Sequence, residues 1–434
     1  MKKYKIVILV CAFTLLGIFT CRVSKTSNVY EENENNQMKK QVNTISMMLE
    51  TEAGSGKYEM TTRDSWPTEG YVFNSTLSKC ENGGELSWDD TNKKVLMSGN
   101  ISDKCYVYFD IETKVFLADY VKSLYTGTQG DNNIYYHDSS LENGAGDNSY
   151  RYAGSSETTN NYVCFGSDAD TCPEDNLYRI IGVFDGKVKL IKSTGTTNTL
   201  LGTDGTYTSN SRSYAWTDLD SCPSTTAYKF DNNVVVLSNK NILGAVPDGG
   251  KSGCNMWKYS NLNSVNLNTN FITNLGIKWA ALVDNATWKV SGYSTANVTA
   301  KTMYTAEITN ATKTYGPSDG TSKIGLMYAS DYGFAASPSA WTTLLSSYND
   351  SSIKSTNWIY NAGMEWTMTP YSSDSYSVFI LSYVSTVSNT GNLGTWSSLG
   401  AAAGFGTRPV MYLNASVVYA RGSGTASDPI HIEI

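Results

Sequence analysis

Runs of apolar and polar positions partition this chain before any single residue does. Lys2, Lys3 and Lys5 precede a nearly continuous apolar run, Ile6–Phe19. That run falls short of the roughly 20 residues a membrane helix needs and matches an export-type leader, so residues 1–21 are expected to be an export signal, lipoprotein signal or anchor. Residues 22–43 carry the polar run Glu31-Glu32-Asn33-Glu34 and no apolar periodicity, which predicts a flexible linker. From residue 44, apolar alternation predicts strands at 70–73, 84–88, 94–97 and 105–109, with a hairpin turn over 88–93. Val115, Leu117, Tyr120, Val121 and Leu124 recur at helical spacing. A small β-rich module over 44–125 follows, then a Gly/Asn/Asp/Ser-rich linker or loop over 126–160.

The remainder, 161–434, reads as one larger domain. Its clearest element is a hairpin: Leu177–Phe184 and Lys187–Ile191 flank Asp185-Gly186, a pair suited to the positive backbone angles of a tight turn. Further strands are expected at 233–237 and 302–308, 375–382 shows clear apolar recurrence, and 408–413 and 430–434 close the chain. Phe271, Leu275, Trp279 and Leu282 would line a helix face, and 339–348 reads as helical or mixed. The expected fold class is α+β: a small disulfide-stapled β-rich module followed by a larger domain with long loops.

Composition narrows the function classes. Charged residues are 17% of the 434, below the roughly 25% of ordinary domains, and 30 Tyr and 10 Trp fill a Ser/Thr/Asn/Gly background. A net charge of −7 with no basic stripe excludes a phosphate-tracking surface, hence no nucleic-acid partner. Of eight cysteines, Cys11 lies in the apolar run and Cys21 just after it. Cys21 is a candidate lipidation site, although Thr20 stands where a smaller residue is usual; secretion, lipid attachment and a retained anchor all stay open. The other six are expected to pair as nearest neighbours, Cys80–Cys105, Cys164–Cys172 and Cys222–Cys254, in an oxidising compartment. No C-x-x-C occurs, which argues against zinc.

Candidate chemistry is sparse. His137 and His431 stand far apart in sequence, and neither H-E-x-x-H nor G-x-S-x-G is present. Two carboxylates beside aromatic residues, Asp331 and Glu365, are the alternative catalytic pair, since glycoside hydrolysis needs only two acids. Asp168, Asp170, Glu174 and Asp175 crowd one loop, a candidate calcium site or simply a solvated acidic loop; no other cofactor is expected. Trp216, Trp257, Trp341, Trp358 and Trp366 fall in loop-like surroundings. Most are expected to pin loops, with Trp341, Trp358 and Trp366 the candidates for contacting a ligand.

Three segments carry a resemblance: Tyr178–Phe184 leading to Lys189-Leu190-Ile191, Ile324–Gly333, and Gly404–Leu413, together with Trp366–Pro370 and Arg408-Pro409-Val410. Their order resembles an uncharacterised bacterial extracytoplasmic family whose closing domain is similar to the formylglycine-generating-enzyme/C-type-lectin-like fold. The resemblance covers roughly residues 160–434 and implies mainly structural roles for these segments. Active formylglycine-generating enzymes use a reactive cysteine pair near the C-terminus. The last cysteine here is Cys254, so oxidase activity is not expected. The resulting expectation is an extracytoplasmic surface protein, with membrane attachment through the N-terminus open, that recognises a surface protein or glycan without catalysis. A carboxylate-dependent glycan or cell-wall hydrolase and a structural surface component are the alternatives.

Overall fold

A computed structural model of the chain describes residues 26–31, 39–62, 65–67, 69–98, 103–208, 213–215, 225–230, 233–238, 257–311, 314–315, 323–361, 363–372, 378–381, 391–395 and 404–433. The expected leader, Cys21, Trp216 and the expected Cys222–Cys254 bridge lie outside them. The fold is mixed α+β and divides into two compact units, Met1–Lys114 and Val115–Ile434.

The first unit is β-rich. Its strands are β1 (Thr26–Glu31), β2 (Lys39–Glu50), β3 (Tyr58–Met60), β4 (Tyr71–Phe73), β5 (Lys79–Cys80), β6 (Glu85–Asp89), β7 (Lys94–Ser98) and β8 (Lys104–Ile111). The sheet runs β1-β2-β8-β4, with β3 on β2 and β5 on β8, while β6 and β7 form a separate hairpin. Along β8, period-two alternation turns Cys105, Val107 and Phe109 inward, all fully buried. Phe109 packs edge-on against Trp88 and Phe73, at centroid distances of 5.5 and 5.9 Å. So small a core gains from a staple: Cys80 lies directly opposite Cys105 in the β5–β8 register, and the two are disulfide-bonded.

Two boundaries differ from expectation. The linker over 22–43 contains β1 and the start of β2, an antiparallel ladder from Thr26↔Thr44 to Glu31↔Lys39 that extends the sheet without apolar alternation to announce it. The first unit also ends at Lys114 rather than at 125. Helix α1 (Leu117–Ser123) buries Leu117, Ala118 and Val121 in the core of the second unit, and Leu117 N–H donates to Val417 O.

The second unit is organised by an antiparallel sheet of β9 (Ile134–His137), β10 (Ser149–Tyr152), β11 (Tyr162–Cys164), β12 (Leu177–Phe184), β13 (Lys187–Lys192), β14 (Ile324–Gly325) and β15 (Val410–Tyr412). Its order is β14-β15-β13-β12-β10-β9, with β11 also on β12. The β12–β13 hairpin forms as expected, with Asp185 and Gly186 both at positive φ. Segment 126–160 is not a linker: it supplies β9 and β10 at the sheet edge. Those four-residue strands are hidden in sequence by the Asn and Gly turns around them, where Asn132, Asn133, Asn143 and Asn148 adopt positive φ. Residues 302–308, expected as a strand from their Thr and Ile content, are helical instead. Helix α2 (Ala300–Tyr304) is capped by the Thr299 side chain and runs on into a π-helical segment, Thr305–Thr309. Helix α3 (Ala329–Ala335) packs beside α2 through Gly333, where an added Cβ would meet Ala300 Cβ at 2.6 Å. A disulfide joins Cys164 to Cys172.

The Cys80–Cys105 bridge closes a separation of 25 residues. Replacing both cysteines by Ala is expected to cost the first unit about 3 kcal/mol. Amide hydrogen exchange reads this directly: the amides of Val107 and Phe109 should exchange about a hundredfold faster, while those of β12 stay unchanged.

Candidate functional site

One row of register partners crosses the central sheet of the second unit: Tyr135, Arg151, Gly182, Lys189 and Tyr412. Partners in an antiparallel register share a face. This row therefore sends a guanidinium and an ammonium to the same side, with a glycine between them. A bulge between Ile180 and Gly182 sets that phase, and only glycine fits there, because a Cβ at Gly182 would lie 2.2 Å from Tyr150 O. Arg151 and Lys189 are both almost wholly buried.

Two buried cations need anions, and other elements deliver them. Asp331, in the first turn of α3, accepts from Tyr328 N–H at 2.9 Å and closes a capping box. Its Oδ2 also lies 2.5 Å from Lys189 Nζ, and its Oδ1 lies 3.7 Å from Arg151 Nη1. Asp147, just before β10, accepts from Arg151 Nη2 at 2.6 Å, Ser149 Oγ at 2.6 Å and Tyr304 Oη at 2.8 Å. Aromatic rings close around the cations. Arg151 lies 4.6, 5.1 and 5.0 Å from the ring centroids of Phe184, Tyr304 and Phe334. Lys189 Nζ lies 4.7 and 5.6 Å from those of Tyr328 and Tyr412. Behind this layer Glu307, on the π-helical segment, accepts from Ser330 N–H at 3.2 Å and from Thr369 Oγ1.

The surroundings push these groups in different directions. Burial works to raise the Asp147 carboxyl, but Arg151, Ser149 and Tyr304 outweigh it and hold the group well below the usual carboxylate range. Burial pulls the Lys189 amine down against the attraction of Asp331. For Arg151 the burial penalty is overcome by Asp147 and Asp331, and its pKa rises. Glu307 is pushed by burial up to about 7, despite its hydrogen bonds from Ser330 and Thr369.

These groups face a cavity of about 290 Å³, walled by Phe184, Tyr304, Tyr328 and Tyr412 and edged by Asp147, Arg151, Lys189 and Asp331, with Thr287 and Lys289 also contributing. The four charges at its base, Asp147, Arg151, Lys189 and Asp331, are paired with one another, and Asp185 and Lys289 also line the cavity. The cavity therefore presents oriented donors and acceptors beside aromatic faces. Such an arrangement can orient a neutral hydrogen-bonding group.

The residues singled out in sequence fare differently. Asp331 edges the cavity. Glu365 does not: it is buried elsewhere, bound by Arg408 Nη2 at 2.7 Å and Asn361 Nδ2 at 2.7 Å, so the two acids are not brought together as a pair at this site. The three tryptophans expected to contact ligand are core residues, each no more than 2% exposed. Trp341 Nε1 donates to Ala336 O, Trp358 Nε1 donates to Tyr152 O, and Trp366 packs on Phe405. An indole whose N–H has a buried partner pays no penalty for leaving the surface.

No three of Asp168, Asp170, Glu174 and Asp175 bring their carboxylates within ligand distance of one another. Asp168 instead pairs with Lys278, and Asp170 with Arg421. Among the described residues one trio, Cys80, Asp103 and Cys105, has the spacing to coordinate a metal ion. Its sulfurs are joined as a disulfide, so that capacity requires reduction. Arg151, Lys189, Asp147, Tyr304, Glu307 and Tyr412 were missed. The available signal was the strand Lys187-Val188-Lys189-Leu190-Ile191-Lys192, which places a lysine between core apolar positions.

His137 is buried against Phe334 and Trp341, and its Nδ1 accepts from Ala145 N–H at 3.0 Å. Burial first, then the Arg151 charge, holds its pKa well below the usual histidine value. The unfolded chain therefore takes up a proton near pH 6.5 that the fold refuses, so stability present at pH 7 is lost as pH falls. Relative to His137→Asn, the wild type should lose about 2 kcal/mol between pH 7 and pH 5, measured by urea unfolding. A difference that does not change with pH would show that the ring titrates in the fold as it does in the unfolded chain.

No protein-family model, curated protein or solved structure matches the chain.

Proposed function

We propose that the chain is an extracytoplasmic surface protein whose second unit recognises a glycan or a protein segment without turning it over. The observation that supports this most is the cavity over the Arg151–Gly182–Lys189 row. Aromatic faces beside fixed polar edges suit a hydroxyl-rich ring, whose apolar face stacks while its hydroxyls bond. About 290 Å³ is room for one sugar residue or one side chain of a longer partner. The basic, apolar leader and the disulfides support a location outside the cytoplasm. A C-type-lectin-like fold for the larger unit belongs to the same reading, on the strength of the three sequence segments alone.

A carboxylate-dependent hydrolase has one observation in its favour: Asp147 and Asp331 edge the same cavity on either side of Arg151. Both are ion-paired to cations, and the neighbouring acid that burial raises, Glu307, does not line the cavity.

The test uses the chain without its first 21 residues, applied under non-reducing conditions to an array of glycans and surface proteins. Saturable binding without product release is expected. Thr287 is exposed at the cavity wall, so Thr287→Phe should fill the mouth and weaken binding at least tenfold while the thermal midpoint is kept. Release of a shortened glycan would establish the hydrolase instead. Binding unaffected by Thr287→Phe would move recognition away from this cavity.

A further inference from the structure

We propose that Lys189 and Asp331 condense into an intramolecular amide, a covalent cross-link between β13 and the first turn of α3. The two groups are already in contact, with Nζ 2.5 Å from Oδ2. Their side chains are 1% and 2% exposed. Both are held in one geometry: Lys189 by the rings of Phe184, Tyr328 and Tyr412, and Asp331 by the Tyr328 N–H. An amine fixed against a carboxyl has a very high effective concentration, and the entropy of bringing them together was spent in folding.

In water this condensation fails because ammonium and carboxylate are each well solvated. Here both are stripped of solvent, which favours proton transfer within the pair to give a neutral amine and a neutral acid. The amine nitrogen then attacks Asp331 Cγ, forming the C–N bond, and negative charge develops on the carboxyl oxygen. Arg151 Nη1, 3.7 Å from Oδ1, faces that charge. One carboxyl oxygen leaves as water with two of the ammonium's three protons, and the third stays as the amide N–H. Nothing is oxidised or reduced, and no co-reactant is needed. The adjoining cavity gives the water a way out.

Glu307 is the proton carrier for this step. It hydrogen-bonds Ser330 N–H, next to Asp331, and interacts electrostatically with both Lys189 and Asp331. A buried carboxyl titrating near neutrality can take a proton from the amine and return it to the leaving oxygen. The bond would span 142 residues of sequence and reach into the part of the chain after Cys254, which has no cysteine. It stands independently of the recognition reading, since it needs no ligand.

The experiment is intact-mass analysis of the full chain, reduced and denatured. The expected mass is that of the sequence, after any leader processing, less one water. A branched peptide joining the 187–192 and 328–335 segments should survive reduction. Lys189→Arg should restore the full mass. A wild-type protein that is folded by circular dichroism yet shows its full reduced mass would overturn the proposal, leaving a buried ion pair. Glu307→Gln should fold and carry the full mass; a Glu307→Gln protein that still lacks one water would overturn the role of Glu307.

Discussion

Two cations projecting from adjacent positions on one face of a sheet, with no side chain between them, constrain the second unit more than any apolar contact does. Leaving Arg151 and Lys189 buried and unpaired would cost several kcal/mol each, enough to offset most of the stability of a domain. The fold must therefore bring carboxylates to that face from elsewhere. Asp147 comes from the turn before β10, and Asp331 from α3, 142 residues beyond Lys189. The close contact of α2 and α3 through Gly333 and Ala300 follows from this, since it places the first turn of α3 over the row. Geometry that satisfies electrostatics thus also shapes the cavity.

Gly182 explains why the arrangement is open rather than packed. A larger residue there would clash with the neighbouring strand, so none is tolerated, and the missing side chain leaves space between the two cations. The bulge at Ile181 serves the same end. It returns Gly182 to the face that Arg151 and Lys189 share while Ile180 stays in the core. The site is a consequence of local backbone irregularity within an otherwise regular hairpin.

Some of this was legible in sequence and some was not, for physical reasons. The β12–β13 hairpin was, because Asp185-Gly186 between two apolar runs is a local signal. The paired strands of the first unit and the Cys80–Cys105 bridge were as well. Strands β9 and β10 were not, since Ile-Tyr-Tyr-His and Ser-Tyr-Arg-Tyr are stabilised by pairing across the sheet and carry no alternation of their own. Residues 302–308 read as strand from β-branched content, but tertiary packing and the Thr299 cap override so weak a propensity. Asp331 was picked out for its aromatic neighbours, and its real partners are the cations of β10 and β13. Glu365 was picked out for Trp366, but its oxygens are occupied by Arg408 and Asn361. Sequence shows which residues carry charge; it does not show which charges meet.

In the second unit arginines add to the Cys164–Cys172 bridge the part that Cys80–Cys105 plays in the first. Arg179 is pulled by burial down to about 10, yet its guanidinium remains the donor that ties together the 155–161 loop and the Trp358 turn. It bonds Asn161 Oδ1, Ser156 Oγ, Thr159 O and Trp358 O. Arg408 joins Glu365 to Ile359 O in the same manner. A planar fork with five donors can satisfy several loop acceptors at once, which a lysine cannot. Loops rich in Ser, Thr and Asn leave many backbone carbonyls without secondary-structure partners, and buried guanidiniums meet that need without cysteines. Aromatic rings pack around those guanidiniums: Tyr162 and Trp358 on Arg179, Phe184, Tyr304 and Phe334 on Arg151. Among the described residues seven tryptophans and six tyrosines are buried. A ligand at the cavity would meet the rings of Phe184, Tyr304, Tyr328 and Tyr412, which serve both the buried charges and the open space.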